Sequence, residues 1–317
     1  MANVNSVTSQ FNAPNYIGEL FKIGQNRTTF LNAIGGIDGA NLVQSSSFQF
    51  PLNQQYSLES ASQPDISETD SFTAPTPTTF VRSQDTNVCQ IFQKKISVSY
   101  QKQSHVGLVS GLANVDGSQP VRNERDFQVM ANLKQMAVEM EYTFLEGTYQ
   151  LGSNTSTSYQ TRGIVTACTT NTVDASDAAF SKSLMDQLLR SMFDSGAEIE
   201  NGNCIIFCSP IIKQAISEVY GLQERRDGVG GVVVNTVLTD LGELEVRLTP
   251  YITASTLLVA DVEKIRPVVC PVPGKGYLFE EELSKAGASE DLQLYSQMGI
   301  DYSAEEFHGT ITNLATS

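Results

Sequence analysis

Two runs that alternate like strands are separated by a stretch that has little to bury. Residues 46–60 place Phe48, Phe50, Leu52, Tyr56 and Leu58 on one side, with Gln49, Asn53, Gln55, Ser57 and Glu59 on the other. Residues 92–100 place Phe92, Ile96, Val98 and Tyr100 together. A period of two marks a half-buried strand. The chain between them is rich in serine, threonine and proline, including Pro64, Pro75 and Pro77. Connections of that length are rare inside compact domains and are usually functional. A two-stranded ribbon is also unstable alone. The spacing therefore predicts a long projecting hairpin that needs another surface to lie against.

The flanking segments fit a body that carries such a projection. Residues 1–45 hold only short apolar clusters, Tyr16-Ile17, Leu20-Phe21 and Phe30-Leu31, too little to close a core. They predict an arm ordered by docking on its own fold or on a neighbouring subunit. From Val121 to Thr148 the period becomes helical, with Met130, Leu133, Ala137, Met140 and Phe144 on one face. Pro120 suits the start and Gly147 the end. At 1.5 Å per residue the helix is about 40 Å long, which reads as a spine. Residues 151–159 form a loop of small polar residues.

The next third reads as α/β. A helix through Leu184, Leu188 and Met192 stops near Gly196. A buried strand follows at Cys204–Cys208, then a helix capped by Ser209 with Pro210 at its first position. Its inner stripe is Ile212, Ala215, Ile216 and Val219, and Gly221 ends it. Strands follow at Leu244-Val246-Leu248 and Leu257–Val259, and the last forty or so residues return to strand patterns.

Composition removes several function classes. The formal net charge is −15, and strong non-specific nucleic-acid binding requires clustered lysine and arginine. No run of eighteen apolar residues exists and no secretory signal is expected, so no membrane contact is predicted. The five cysteines make no CxxC pair, and Cys204 and Cys208 read as small core residues. The two histidines, His105 and His308, have no nucleophile motif beside them, and no phosphate-loop spacing occurs. No catalytic, cofactor or metal site is predicted. Glu280-Glu281-Glu282 reads as an ion-paired or solvated strand edge, and His308 as a packed turn residue.

The order of arm, ribbon, spine helix, α/β lobe and returning strands resembles the major capsid protein of tailed bacteriophages with the Hong Kong 97 fold. Particular segments carry the likeness: residues 28–35 (TTFLNAIG), 87–99 (NVCQIFQKKISVS), 139–147 (EMEYTFLEG), 240–246 (DLGELEV), 282–289 (ELSKAGAS) and His308-Gly309. The resemblance implies an α+β fold, no enzymatic activity and no cofactor. It implies an N-terminal arm (1–45), an extended loop (46–95), a peripheral domain with the spine helix (96–168), an axial α/β domain (169–274) and a return to the peripheral domain (275–317). Copies of the chain would form hexamers and pentamers of a virion shell, assembled in the host cytoplasm. Implied partners are a portal, a separate scaffolding protein, since no long scaffolding segment precedes the arm, and decoration proteins. Packaged double-stranded DNA would be touched only weakly and non-specifically. Founding members cross-link through a lysine on the extended loop, but Lys22 and Lys94 are consecutive lysines here, so a non-covalent shell is expected.

Charge suggests where copies meet. The ribbon carries Glu59, Asp65, Glu68, Asp70 and Asp85 against Arg82 alone, five acids to one base. The spine region carries Arg122, Arg125 and Lys134, with Lys94, Lys95 and Lys102 near the ribbon's base. The expectation is that the acidic ribbon docks on a neighbour's basic strip. The alternatives are another virion protein, such as a tail-tube or decoration subunit, and an enzyme built on the α/β lobe. The enzyme would need a convergent polar site that the sequence does not show.

Overall fold

The strand Cys204–Cys208 is buried on both faces because two separate cores share it. Cys204, Ile206 and Cys208 face one core, while Ile205 and Phe207 face the other. The computed structural model that shows this describes residues 27–37, 41–56, 58, 61–104, 124–201, 203–221, 235–285 and 287–316. A strand enclosed on both sides loses the polar–apolar alternation and becomes a continuous apolar run. Its antiparallel neighbour Leu257–Asp261 is equally enclosed. Together they centre a six-stranded sheet. Its order is Thr172–Asp174, Gly309–Thr312, Leu257–Asp261, Cys204–Cys208, Gly242–Leu248, Thr236–Thr239.

On one face of this sheet lie the helices Lys182–Asp194 and Pro210–Gly221, as their apolar periods predict. Met185, Leu188, Leu189 and Met192 of the first and Ile212 and Ile216 of the second are buried. The starts are capped as expected. The Leu184 amide donates to Ser181 Oγ and the Ile212 amide to Ser209 Oγ, each at 3.4 Å. Gly196 ends the first helix at φ 93°, a conformation that costs glycine nothing.

The other core lies between a second sheet and the spine. That sheet runs Val43–Gln44, Arg266–Val269, Ser289–Asp301, Leu278–Glu282, and Gln90–Ser99 also pairs with Ser289–Asp301. The spine helix, Glu124–Glu146, buries Met136, Met140, Phe144 and Leu145 in the core that holds Phe92, Ile96 and Val98. The predicted stripe has the right face but not the right extent. Met130 and Leu133 are exposed, and residues 105–123, which precede the helix and include His105, lie outside the described residues.

The ribbon corrects the sequence expectation most. Gln49–Tyr56 pairs antiparallel with Arg82–Val88, not with residues 92–100. Arg82–Val88 reads RSQDTNV, exposed from Arg82 to Asp85 and buried only at Asn87 and Val88, so no apolar alternation reveals it. The 90–99 strand belongs instead to the sheet under the spine, and Tyr100 opens a short helix, Tyr100–Ser104. A register shift between Pro51 and Gln54 breaks the expected alternation, so Phe50 and Leu52 are buried while Tyr56 and Leu58 are exposed. Arg266–Val269 pairs within the spine's sheet, and Gly309–Thr312 pairs within the six-stranded sheet.

His308 sits where the chain crosses from one sheet to the other, wholly buried. Its Nδ1 accepts from the Asp261 amide at 3.2 Å, so the imidazole is neutral and its Nε2 donates to the Tyr302 carbonyl at 2.8 Å. Burial pulls its pKa down to about 4. The unfolded chain then binds a proton that the folded chain refuses, so stability is lost as pH falls from about 6.5 towards 4. The expected loss from this residue is about 3 kcal/mol. Urea titrations at pH 7 and pH 4.5 should show a smaller acid loss in His308→Asn than in the parent chain. Equal losses would contradict this assignment.

Candidate assembly surfaces

The ribbon is fixed at its root. Asn87, fully buried, uses its whole amide. Its Nδ2 donates to the carbonyls of Ile300 (2.8 Å) and Arg162 (3.1 Å), and its Oδ1 accepts from the amides of Arg162 (2.8 Å) and Val88 (2.9 Å). Arg162 in turn pairs with Asp85 at 2.6 Å, reaches the Tyr302 hydroxyl at 3.3 Å and lies over the Tyr149 ring. At the bulge, Gln84 Nε2 donates to the Leu52 carbonyl and Asn53 Nδ2 to Ser303 Oγ, both at 2.8 Å. These side chains satisfy groups that the broken ladder leaves open, and tie the ribbon to the body.

Beyond Tyr56 and Arg82 the support ends. Leu58, Ile66 and Phe80 are exposed, Phe72 is 80% exposed and Val81 81%. The described part of the tip has one local turn, Asp70–Phe72, where Asp70 Oδ2 accepts from Ser67 Oγ at 2.6 Å. That hydrogen bond holds the Asp70 carboxyl below its usual range. Five large apolar side chains therefore stand exposed at the end of a clamped lever. Exposed apolar groups in such number suit an interaction site.

A second fixed point holds the root of the arm. Glu141 projects from the spine into the core and is fully buried. Its two oxygens accept from the amides of Phe30 and Leu31, each at 2.8 Å, at the start of the short helix Thr29–Ala33. Thr249, which follows the Gly242–Leu248 strand, donates to the same carboxylate at 3.4 Å. Phe30 then stacks edge-on against Phe207 at 5.3 Å. One carboxylate therefore joins arm, spine and α/β lobe. Burial raises its pKa, and the amide donors oppose that shift.

A ribbon, an arm root and a spine helix over one sheet, beside an α/β lobe, form an architecture seen in virus shells. The family model for SU10 major capsid protein matches residues 3–315. The chain belongs to the SU10 major capsid protein family. No curated protein matches it in sequence. Its fold is similar to that of the cyanophage A-1(L) capsid, at 10% identity and a TM-score of 0.66, covering 96% of this chain and 97% of the other. It is also similar to the capsid of the native GTA particle (11% identity, TM-score 0.62, coverage 96% and 95%). The capsid of cyanophage P-SCSP1u gives 10% identity and a TM-score of 0.59, with coverage of 96% and 94%. The fold is the Hong Kong 97 type. The protein is a structural component of a virion capsid built from many copies of itself, and not an enzyme.

The capsid protein brings some of the predicted contact residues together and separates others. Asp65, Glu68 and Asp70 lie exposed on the ribbon tip. Asp85 lies at the ribbon's root and is paired with Arg162. Glu59 and Arg122 lie outside the described residues. Arg125 does not stand free for a neighbour: it pairs with Glu280 at 2.8 Å and Glu282 at 3.6 Å of its own chain. Lys95 pairs with Asp291 and Lys94 with Glu139. Lys134 remains exposed on the spine. Glu281 pairs with Lys275, so the acidic run is the ion-paired strand edge that was expected, and no metal-binding group occurs among the described residues. The sequence reasoning missed Asn87 and Glu141. The signal for Glu141 was a carboxylate set between Met140 and Phe144 on the apolar side of a helix.

Proposed function

We propose that this capsid protein builds the hexamers and pentamers of an icosahedral shell around double-stranded DNA, held together without covalent cross-links. The observation that carries this is the ribbon tip: clamped at its base, apolar at its end, and without burial on its own chain. A hydrophobic tip gains by docking on a sibling, at about 25 cal/mol per Å2 of apolar area covered. Exposed ion pairs add only about 0–1 kcal/mol each, so cohesion comes from many weak contacts repeated by symmetry. No lysine lies between Lys22 and Lys94, so the projecting ribbon itself has no amine to form an isopeptide bond, and Lys94 and Lys95 lie in the strand beneath the spine.

The net charge of −15 offers packaged DNA no basic lining, and small cations neutralise its phosphates. A portal, a separate scaffolding protein and decoration proteins complete the set of partners, with assembly in the host cytoplasm. Electron microscopy of the purified protein, co-expressed with its scaffolding protein, should show closed shells. Boiled in denaturant, those shells should run as a single monomer band. Tubes would favour the tail-tube alternative, and a ladder of covalent oligomers would overturn the non-covalent shell.

A further inference from the structure

The helix Lys182–Asp194 turns an alternating row of charges outwards. Lys182, Asp186, Arg190 and Asp194 follow one another at four-residue steps, so they line a single ridge. Lys182, Arg190 and Asp194 are exposed, and Asp186 is half-buried. All four border an open depression of about 780 Å3. Charges at this spacing can pair along their own helix, yet none of the four joins an ion pair among the described residues. Two bases and two acids also make the ridge neutral, in a chain whose net charge is −15.

The order plus, minus, plus, minus is its own complement when reversed. Laid antiparallel on the same ridge of a second copy, Lys182 meets Asp194 and Asp186 meets Arg190, and each pair occurs twice. Laid parallel in register, every charge meets its like. Two ridges of this kind superpose when their helices cross at about 50°. Phe193, exposed beside Asp194, then lies against the aliphatic stem of Lys182 of the second copy.

We infer that the helix Lys182–Asp194 pairs with the same helix of a second copy across a two-fold axis. This rests on the shell proposed above and adds a contact that the ribbon does not make. Neighbours around a five- or six-membered ring are not related by a two-fold axis, so the pair joins copies of different rings. A helix of 13 residues is about 20 Å long and covers less than the roughly 1,200 Å2 of a stable interface. The pair is therefore weak between free subunits and holds where the shell repeats it. Salt screens exposed charges, so the contact loosens as ionic strength rises.

The test begins with the parent particles. Carbodiimide joins an amine to a carboxylate that touches it, and should yield a cross-linked peptide between Lys182 and Asp194. Along one helix these two lie about 18 Å apart, out of each other's reach, so that link can only join two copies. Two double variants of matched charge then separate pairing from helix stability. D186R with R190D gives plus, plus, minus, minus, in which every antiparallel pair stays opposite. K182D with D186K gives minus, plus, plus, minus, in which like meets like at every pair. The second order is the better one for an isolated helix, with an acid at its start and two favourable four-residue steps. The first variant should nevertheless assemble in parental yield, and the second about fivefold less. Particles without the Lys182–Asp194 link, or parental yield from K182D with D186K, would overturn the pair while leaving the shell intact. A parent chain that forms no shells would overturn the shell instead, and the same link sought in the concentrated subunit would then decide the pair.

Discussion

Replacing Glu141 with alanine is expected to lower the stability of the dispersed subunit by about 3 kcal/mol, because two buried amides lose their acceptor. Those amides belong to Phe30 and Leu31, each donating to one carboxylate oxygen at 2.8 Å. Their hydrogen exchange should accelerate at least tenfold, while amides of the buried strand Cys204–Cys208 slow or speed only with global stability. Glutamine at this position keeps one acceptor and turns an NH2 group towards the other amide, so it should fall between alanine and the parent. The pH dependence has a definite sign. Burial raises the folded-state pKa of Glu141, so ionisation is penalised in the folded chain at neutral pH. That penalty is relieved as pH falls through the raised value, and the gap between parent and Glu141→Gln widens in the parent's favour. Unchanged exchange at Phe30 and Leu31 in Glu141→Ala would remove the carboxylate from its role as joint.

Reversing Asp65, Glu68 and Asp70 to lysine should reduce particle yield by at least tenfold without unfolding the subunit. All three are exposed, and their described contacts are confined to the tip turn, where Asp70 meets Ser67. The substitution moves the tip from three negative charges to three positive ones, so the proposed attraction to a neighbour's basic residues becomes repulsion. Each contact is weak alone, and the loss multiplies because every copy in the shell carries the same defect. Sedimentation of the assembled fraction, with a thermal melt of the dispersed subunit as control, measures both sides. Shells in normal yield from the triple variant would show that tip charge is immaterial to assembly.

Much of this was legible in the chain because the core obeys simple periods. The helices Lys182–Asp194 and Pro210–Gly221 announce themselves by apolar spacing and serine caps, and Cys204–Cys208 by its unbroken apolar run. What escaped was structure made by polar residues. Arg82–Val88 has no apolar face because it is exposed from Arg82 to Asp85 and buried only at Asn87 and Val88, so its pairing with Gln49–Tyr56 could not be read from alternation. The register shift after Pro51 and the exposure of Tyr56 and Leu58 beyond it break the alternation. Arg125, placed by sequence on a neighbour's docking strip, is held by Glu280 155 residues away, a distance that no local pattern reports. Asn87 and Glu141 look like surface residues by type and are fully buried.

Hydrogen exchange across residues 61–81, compared between the dispersed subunit and the assembled particle, asks most directly whether the ribbon finds its cover on a sibling. Amides in this stretch should exchange at nearly the rate of an unstructured peptide in the subunit and at least a hundredfold more slowly in the shell. Equal exchange in the two states would mean that the tip stays bare in the particle, and that some other surface holds the copies together.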